Sequence, residues 1–250
     1  MSVSRSGRWA GGQVWPQMLT RHAHTLPLTG RGLVLLLMIF SGCGGPPSRV
    51  RIQPVSRDHI PTIRVGILTD QRQVKITGTG QFQVVDQESG EIVGESSRGH
   101  VWALEPSGAW IEPTTPEGQS QGLYTGPIHI KPAERGGRIW VSGREYRGLI
   151  ELRTNGQGLL TVVNELDVEN YLRGVVPVEI GRLKTSQIAA VKAQAIAART
   201  YVLAHRGRRK ALGFDVYGTV NDQVYRGHNV ESSVTDQAIA ETHGIIAMYK

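Results

Sequence analysis

The chain has 250 residues, enough for one large domain or two small ones, each with its own core. Its 39% hydrophobic and 20% charged content excludes wholesale disorder, and a single cysteine excludes an internal disulfide framework or a cysteine-rich zinc site. The formal charge of +7 suggests a nucleic-acid binder only until it is divided by region: residues 1–42 hold four arginines and no carboxylate, which leaves 24 basic against 21 acidic residues. Arg206-Gly-Arg208-Arg209-Lys210 is the one concentrated basic run in that remainder, so no nucleic-acid partner is expected.

The first element is a targeting segment. Arg21 and Arg31 precede the short apolar run 32–40, and Ser41-Gly42-Cys43 follows it. A basic lead, a short hydrophobic stretch and small residues before a cut describe a secretory signal, and the run is too short to span a bilayer. Cys43, the only cysteine, resembles the lipidated residue of a bacterial lipobox, although Phe40 stands where leucine is usual. The expectation is a lipoprotein-type signal over 1–42, with Cys43 lipidated and the protein exported and held at a membrane facing the cell wall or periplasm. Residues 43–61, with Gly-Gly-Pro-Pro and scattered arginines, read as a flexible linker whose extended length reaches roughly 50 Å.

From Thr62 the pattern is β. Runs at 62–68, 73–78, 81–86, 101–104, 128–130, 138–141, 149–153 and 158–164 are strand candidates between turn signals, and 73–78 alternates apolar and polar residues. Residues 104–125, rich in Gly, Pro, Ser and Thr, read as a long loop. At Asn164 the character changes. Asp167 suits the N-cap of a short helix, Val168 to about Gly174, and Pro177 and Gly181 suggest that Val175–Gly181 is irregular. About Ser186 to Arg206 is the strongest helix, with seven alanines that permit close packing and Gly207 at its end. Phe214–Tyr225 reads as loop and strand, Ser233-Val-Thr-Asp236 opens a last helix that stops at Gly244, and Ile245–Tyr249 reads as a strand. The expected class is α+β: a β-rich part over 62–163 packed with a helical core over 164–250.

Five segments occur in order: Tyr146-Arg-Gly148, Val163-Asn164-Glu-Leu, Glu169 to Glu179, Val191 to Tyr201, and Gln223-Val-Tyr-Arg-Gly227. Together they resemble the stage II sporulation protein D family, which includes amidase-enhancer proteins, and the resemblance covers roughly residues 62–250. It implies cell-wall work, and for the sporulation branch lytic transglycosylase activity on peptidoglycan. Family domains usually run on past the position of Lys250, so a missing C-terminal part is expected. The family's catalytic glutamate falls on Glu179, where Val178 and Ile180-Gly181 stand in place of the common Gly and Met-Pro.

From the residues alone, Glu179 is either an exposed loop carboxylate or a general acid. Its neighbours Val175, Val176, Val178 and Ile180 would favour a neutral carboxyl that can protonate a glycosidic oxygen. Hydrolytic glycosidases mostly need a second carboxylate, whereas a lytic transglycosylase uses the muramyl 6-hydroxyl as internal nucleophile and manages with one. Gln194, Arg199 and Tyr201 on the alanine-rich helix are read as substrate-binding candidates. Arg199 and Gln194 could equally lie on a solvated face, or Arg199 be ion-paired to Glu169 or Asp167, and for Lys192 a solvated face or such a pair is the preferred reading. Gln223 and Tyr225 offer an amide and an aromatic plane to a sugar, or pack as strand residues. His228 and His243 lack a nearby third ligand, so no metal and no cofactor is expected. The rival reading is a non-catalytic, peptidoglycan-binding activator of an amidase.

Overall fold

A computed structural model describes residues 60–181 and 183–248, together with the backbone of 51–54. The expected signal segment and Cys43 lie outside the described residues. The chain is α+β: fourteen strands and three α-helices among the described residues.

One sheet has seven strands. Its middle is β2 (Thr62–Gln71), β12 (Leu160–Asp167), β11 (Leu149–Thr154) and β8 (Ile128–Pro132). β4 (Phe82–Asp86) and the edge strand β5 (Ile92–Ser96) extend it on one side, and β13 (Val216–Tyr217) closes the other side parallel to β2. The second sheet runs β10 (Arg144–Tyr146), β9 (Ile139–Val141), β3 (Val74–Gly78), β6 (Trp102–Ser107) and β7 (Trp110–Thr114). Alternate residues of both sheets, such as Ile76, Leu104 and Ile139 from one and Val84, Ile130 and Ile150 from the other, are fully buried in one shared apolar cluster. In β3 the outward positions are polar, Lys75 and Thr77, as a period of two allows.

The helices pack beside this body. α1 (Val168–Ile180) follows β12 directly, capped by Asp167, whose Oδ1 accepts the Asn170 amide at 2.8 Å. α2 (Ile188–Ala204) buries Val191, Ala195, Ala198 and Val202, a stripe at helical spacing that packs on α1, on α3 (Ser233–Glu241) and on the strand β14 (Ile245–Met248).

Several sequence expectations change. Residues 175–180 are not irregular. α1 runs through Pro177, giving up only the hydrogen bond its missing N–H would make to Arg173, and ends at Gly181 with φ +75°. Its buried stripe of Tyr171, Leu172, Val175 and Val176 outweighs the proline. The expected loop 104–125 contains β7 and the end of β6. Ile111 and Pro113 alternate inward, and Pro113 is tolerated because β7 is an edge strand. Within the expected linker, β1 (Arg51–Pro54) pairs antiparallel with β14. α2 begins at Ile188, entered through a 3-10 turn at Thr185–Gln187, and α3 is capped by Ser232, one residue earlier than expected.

Candidate active site

Glu179 sits in the last turn of α1. Its carboxylate is exposed, and Oε1 accepts the Val224 amide at 2.9 Å. The apolar neighbours do not enclose it: Val175 and Val176, one turn earlier on the same side of α1, are buried in the core, whereas Glu179 stands at the exposed end of the helix just before Gly181. The continuity of α1 thus converts an expected loop residue into one held on a rigid element.

The 222–227 segment lies along α1 and links Gln223 and Tyr201 to it. The Tyr171 hydroxyl donates to Gln223 Oε1 at 3.2 Å, and Gln223 is 7% exposed. Burial pushes the Tyr171 phenol strongly upward, reinforced by the nearby carboxylates of Asp222 and Glu179, so this hydroxyl stays protonated and a donor. The Tyr201 hydroxyl, from α2, donates to Asp222 Oδ1 at 2.9 Å, and Asp222 is itself buried and paired to Arg209 at 2.8 Å. Glu179, Gln223, Tyr171 and Tyr201 therefore converge where α1, α2 and the 222–224 loop meet.

Two expected substrate-binding residues belong elsewhere. Arg199 is fully buried, donating through Nε and Nη2 to both oxygens of Glu169 (2.9 and 2.7 Å) and through Nη1 to the Ile245 carbonyl (3.1 Å). It joins α1, α2 and β14, and presents no guanidinium face to a ligand. Tyr225 is 3% exposed. Its hydroxyl donates to Asn164 Oδ1 at 2.8 Å, and its ring lies 5.2 Å from that of Tyr171 and 5.8 Å from that of Tyr146. Asn164 completes its bonding by donating to the carbonyls of Arg147 and Leu149. Gly174 leaves the space that the Tyr225 ring fills, since a Cβ there would run into it. Gln194 is half-buried on α2, with no hydrogen bond to its amide among the described residues. Lys192 pairs with Glu241 of α3, a different partner from those expected.

On the other side of the last turn of α1 lies a cavity of about 590 Å³, lined by Pro177, Val178 and Gly181, with Val191, Val230 and Glu231 opposite. Glu179 does not line it. Glu231, missed by the sequence reading, anchors its polar wall. Arg147 donates to both its oxygens (2.7 and 2.9 Å), Arg173 reaches it at 3.0 Å, and His228 at 3.1 Å. Burial would push the Glu231 carboxyl up, but the hydrogen bonds from Arg147 and His228 outweigh it and hold it below the usual carboxylate range. The signal for it was the pair Arg147 and Arg173 inside recognised motifs, whose counter-charge lay far along the chain. Among the described residues, no three His, Cys, Asp or Glu side chains cluster as metal ligands do, and no helix is long and apolar enough to cross a membrane.

The chain is 38% identical over 111 residues to an uncharacterized protein of Brachyspira hyodysenteriae (strain ATCC 49526 / WA1), which covers 44% of this chain and 29% of that protein. It is 29% identical over 175 residues to an uncharacterized protein of Chlamydia muridarum (strain MoPn / Nigg), covering 67% and 57% respectively. The chain thus spans less than two thirds of the length of either relative. No solved structure matches it. The family model of SpoIID, the stage II sporulation protein, matches residues 156–249, which hold α1, α2, α3, Glu179 and the Gln223–Gly227 segment. Residues 156–249 are therefore similar to the SpoIID family.

Proposed function

We propose that this protein is a peptidoglycan lytic transglycosylase in which Glu179 is the single acid and base. The SpoIID domain supports a cell-wall role. The observation that supports the finer reading is an exposed carboxylate at the rigid end of α1, fixed by the Val224 amide in the loop whose Gln223 accepts the Tyr171 hydroxyl. In the first step, protonated Glu179 gives its proton to the oxygen linking MurNAc C1 to GlcNAc O4, and that C–O bond breaks. The muramyl O6 then closes on C1, and the Glu179 carboxylate takes the O6 proton. The products are a 1,6-anhydro end and a free GlcNAc hydroxyl, with no water consumed. Half-buried Tyr201 orients a sugar hydroxyl at the rim of the site, and buried Gln223 fixes the 222–224 loop behind it. On this reading the partner is the glycan strand, and the protein is exported and anchored through a lipid on Cys43.

The openness of Glu179 to solvent favours a second reading, a peptidoglycan-binding activator of a cell-wall amidase, since an acid catalyst gains from enclosure. One experiment separates the two. Purified glycan strands, with and without stem peptides, are incubated with the protein and with Glu179→Gln, and 1,6-anhydro ends are sought by mass spectrometry. Anhydro ends from the wild type alone establish transglycosylation. Their absence from a well-folded wild type moves the function to amidase activation.

A further inference from the structure

Away from Glu179, the outer face of the five-stranded sheet carries a second feature that folding does not explain. In register across β10, β9 and β3 stand Glu145, Trp140 and Thr77. The neighbours of Trp140, Ile139 and Val141, point into the core and are buried, so the indole points out and is 37% exposed. It forms the floor of a cavity of about 490 Å³, inside the range of roughly 300–1,000 Å³ typical of small-ligand sites. Arg98 and Val101, from the β5–β6 connection, form one wall, and Arg138 with Glu145 the other.

One charged group beside the indole, Arg98, is open to a ligand. Arg98 is exposed and has no carboxylate within ion-pairing distance among the described residues. Thr77 Oγ1 is buried without a hydrogen-bond partner. Arg138 and Glu145 pair with each other at 2.6 Å, which fixes their positions, and leave Arg98 as the uncompensated charge of the cavity. A flat aromatic face ringed by hydrogen-bonding groups suits the C–H face of a pyranose, whose C–H dipoles meet the negative face of the ring while its hydroxyls reach the rim. An unpaired arginine selects an anionic sugar, since guanidinium and carboxylate match in shape and charge. The site also adjoins the 590 Å³ cavity beside α1. The Glu145 amide donates to Asn229 Oδ1 at 2.8 Å, and Asn229 lines that second cavity.

We propose that the Trp140 cavity is a glycan-binding site, in which the indole stacks on an amino-sugar ring and Arg98 pairs with a carboxylate on the same strand. This deepens the reading of the protein as a peptidoglycan enzyme and rests on it for the identity of the polymer. The site would grip the strand at a distance from the cut.

The test uses the full chain in mild detergent with two probes, protein-free peptidoglycan sacculi and carboxylate-free chitin. Retention is measured by co-sedimentation for the wild type, Trp140→Ala, Trp140→Tyr and Arg98→Ala, with thermal melting as the folding control. Trp140→Ala is expected to weaken sacculus retention about tenfold, with Trp140→Tyr recovering part of it. Arg98→Ala, in an exposed loop where misfolding is no concern, is expected to weaken binding to sacculi and leave chitin binding as in the wild type. Wild-type retention by a folded Trp140→Ala, or an Arg98→Ala that binds sacculi normally, overturns the proposal. Turnover assayed in the same samples judges Glu179 separately: Trp140-dependent retention without anhydro products leaves this site standing and removes the catalytic reading.

Discussion

Two glutamates ten residues apart on one helix have opposite fates. Glu169, in the first turn of α1, is closed in by Arg199 on two oxygens and by the Gly244 amide, which donates to it at 3.2 Å. Glu179, in the last turn, is exposed and accepts one amide hydrogen bond. The first has spent its bonding capacity on holding three elements together, whereas the second retains lone pairs and access for a ligand. Among similar side chains, unspent hydrogen-bonding capacity separates a chemical candidate from a structural one better than proximity to a motif does.

The sharpest way to break this contrast is to neutralise each glutamate. Glu179→Gln should lower transglycosylase turnover by about 10²–10⁴-fold, the usual worth of a general acid or base, while stability stays within about 0.5 kcal/mol. Anhydro-end yield and a thermal melt on the same sample check both halves. Unchanged yield would place the chemistry elsewhere.

The other side of the contrast is stability without direct chemistry. Arg199→Ala empties a fully buried position and leaves the largely enclosed Glu169 carboxylate without its cation, which should cost about 3 kcal/mol, a drop in melting temperature of roughly 10 °C for a domain of this size. Replacing both partners, Arg199→Met with Glu169→Leu, should recover part of that loss but not all, because the Ile245 carbonyl and the Gly244 amide still lose their partners. A double mutant as unstable as Arg199→Ala would show that the pair is not the source of the effect.

Tyr225 tests a finer point. Tyr225→Phe keeps the ring that fills the space over Gly174 and deletes the hydroxyl bound to Asn164. It should cost about 1–3 kcal/mol, because the fully buried Asn164 Oδ1 loses its donor. Chemical denaturation measures it. A loss of turnover far larger than the loss of stability would return Tyr225 to the site, from which its burial removes it.

The sequence reading succeeds where signals are local and fails where a partner lies far off. The alanines of α2 and the alternation in β2, β3, β4 and β11 place those elements because packing and periodicity act within a few residues. Pro177 and Gly181 suggest a break, yet α1 continues, because tertiary burial of Val175 and Val176 decides against the local signal. β7 is hidden by the Gly, Pro, Ser and Thr of its flanks, and β1 by the fact that its partner lies nearly two hundred residues away. At the site, Glu179, Gln223 and Tyr201 fall together as their shared motifs suggest. Arg199 and Tyr225 do not, since nothing local tells a cation or phenol facing a ligand from one facing Glu169 or Asn164. Trp140 passes unremarked within a strand, because exposure on the outer face follows only from knowing which face is covered.

Acid sensitivity gives the smallest effect and extends the contrast to a third glutamate. Glu231 resembles Glu169 in being enclosed by arginine, with Arg147, Arg173 and His228 facing it and Asp236 sharing Arg173. Its carboxyl is held below the usual range in the folded chain. A depressed folded value means that the stabilisation is complete above the unfolded value, about 4.3, and is lost as pH falls through the folded one. The wild-type melting temperature should therefore decline as the buffer is taken from about pH 5 toward 3. Arg147→Met removes two of the donors that hold Glu231 ionised. It should lower stability at neutral pH and flatten the decline below pH 5, since less remains to be lost on protonation. An equal slope in the two proteins would mean that other carboxylates, such as Glu151 beside Arg64 and His129, carry the acid response. The β-sheet face, rather than the wall of the α1 cavity, would then be the acid-labile part of the molecule.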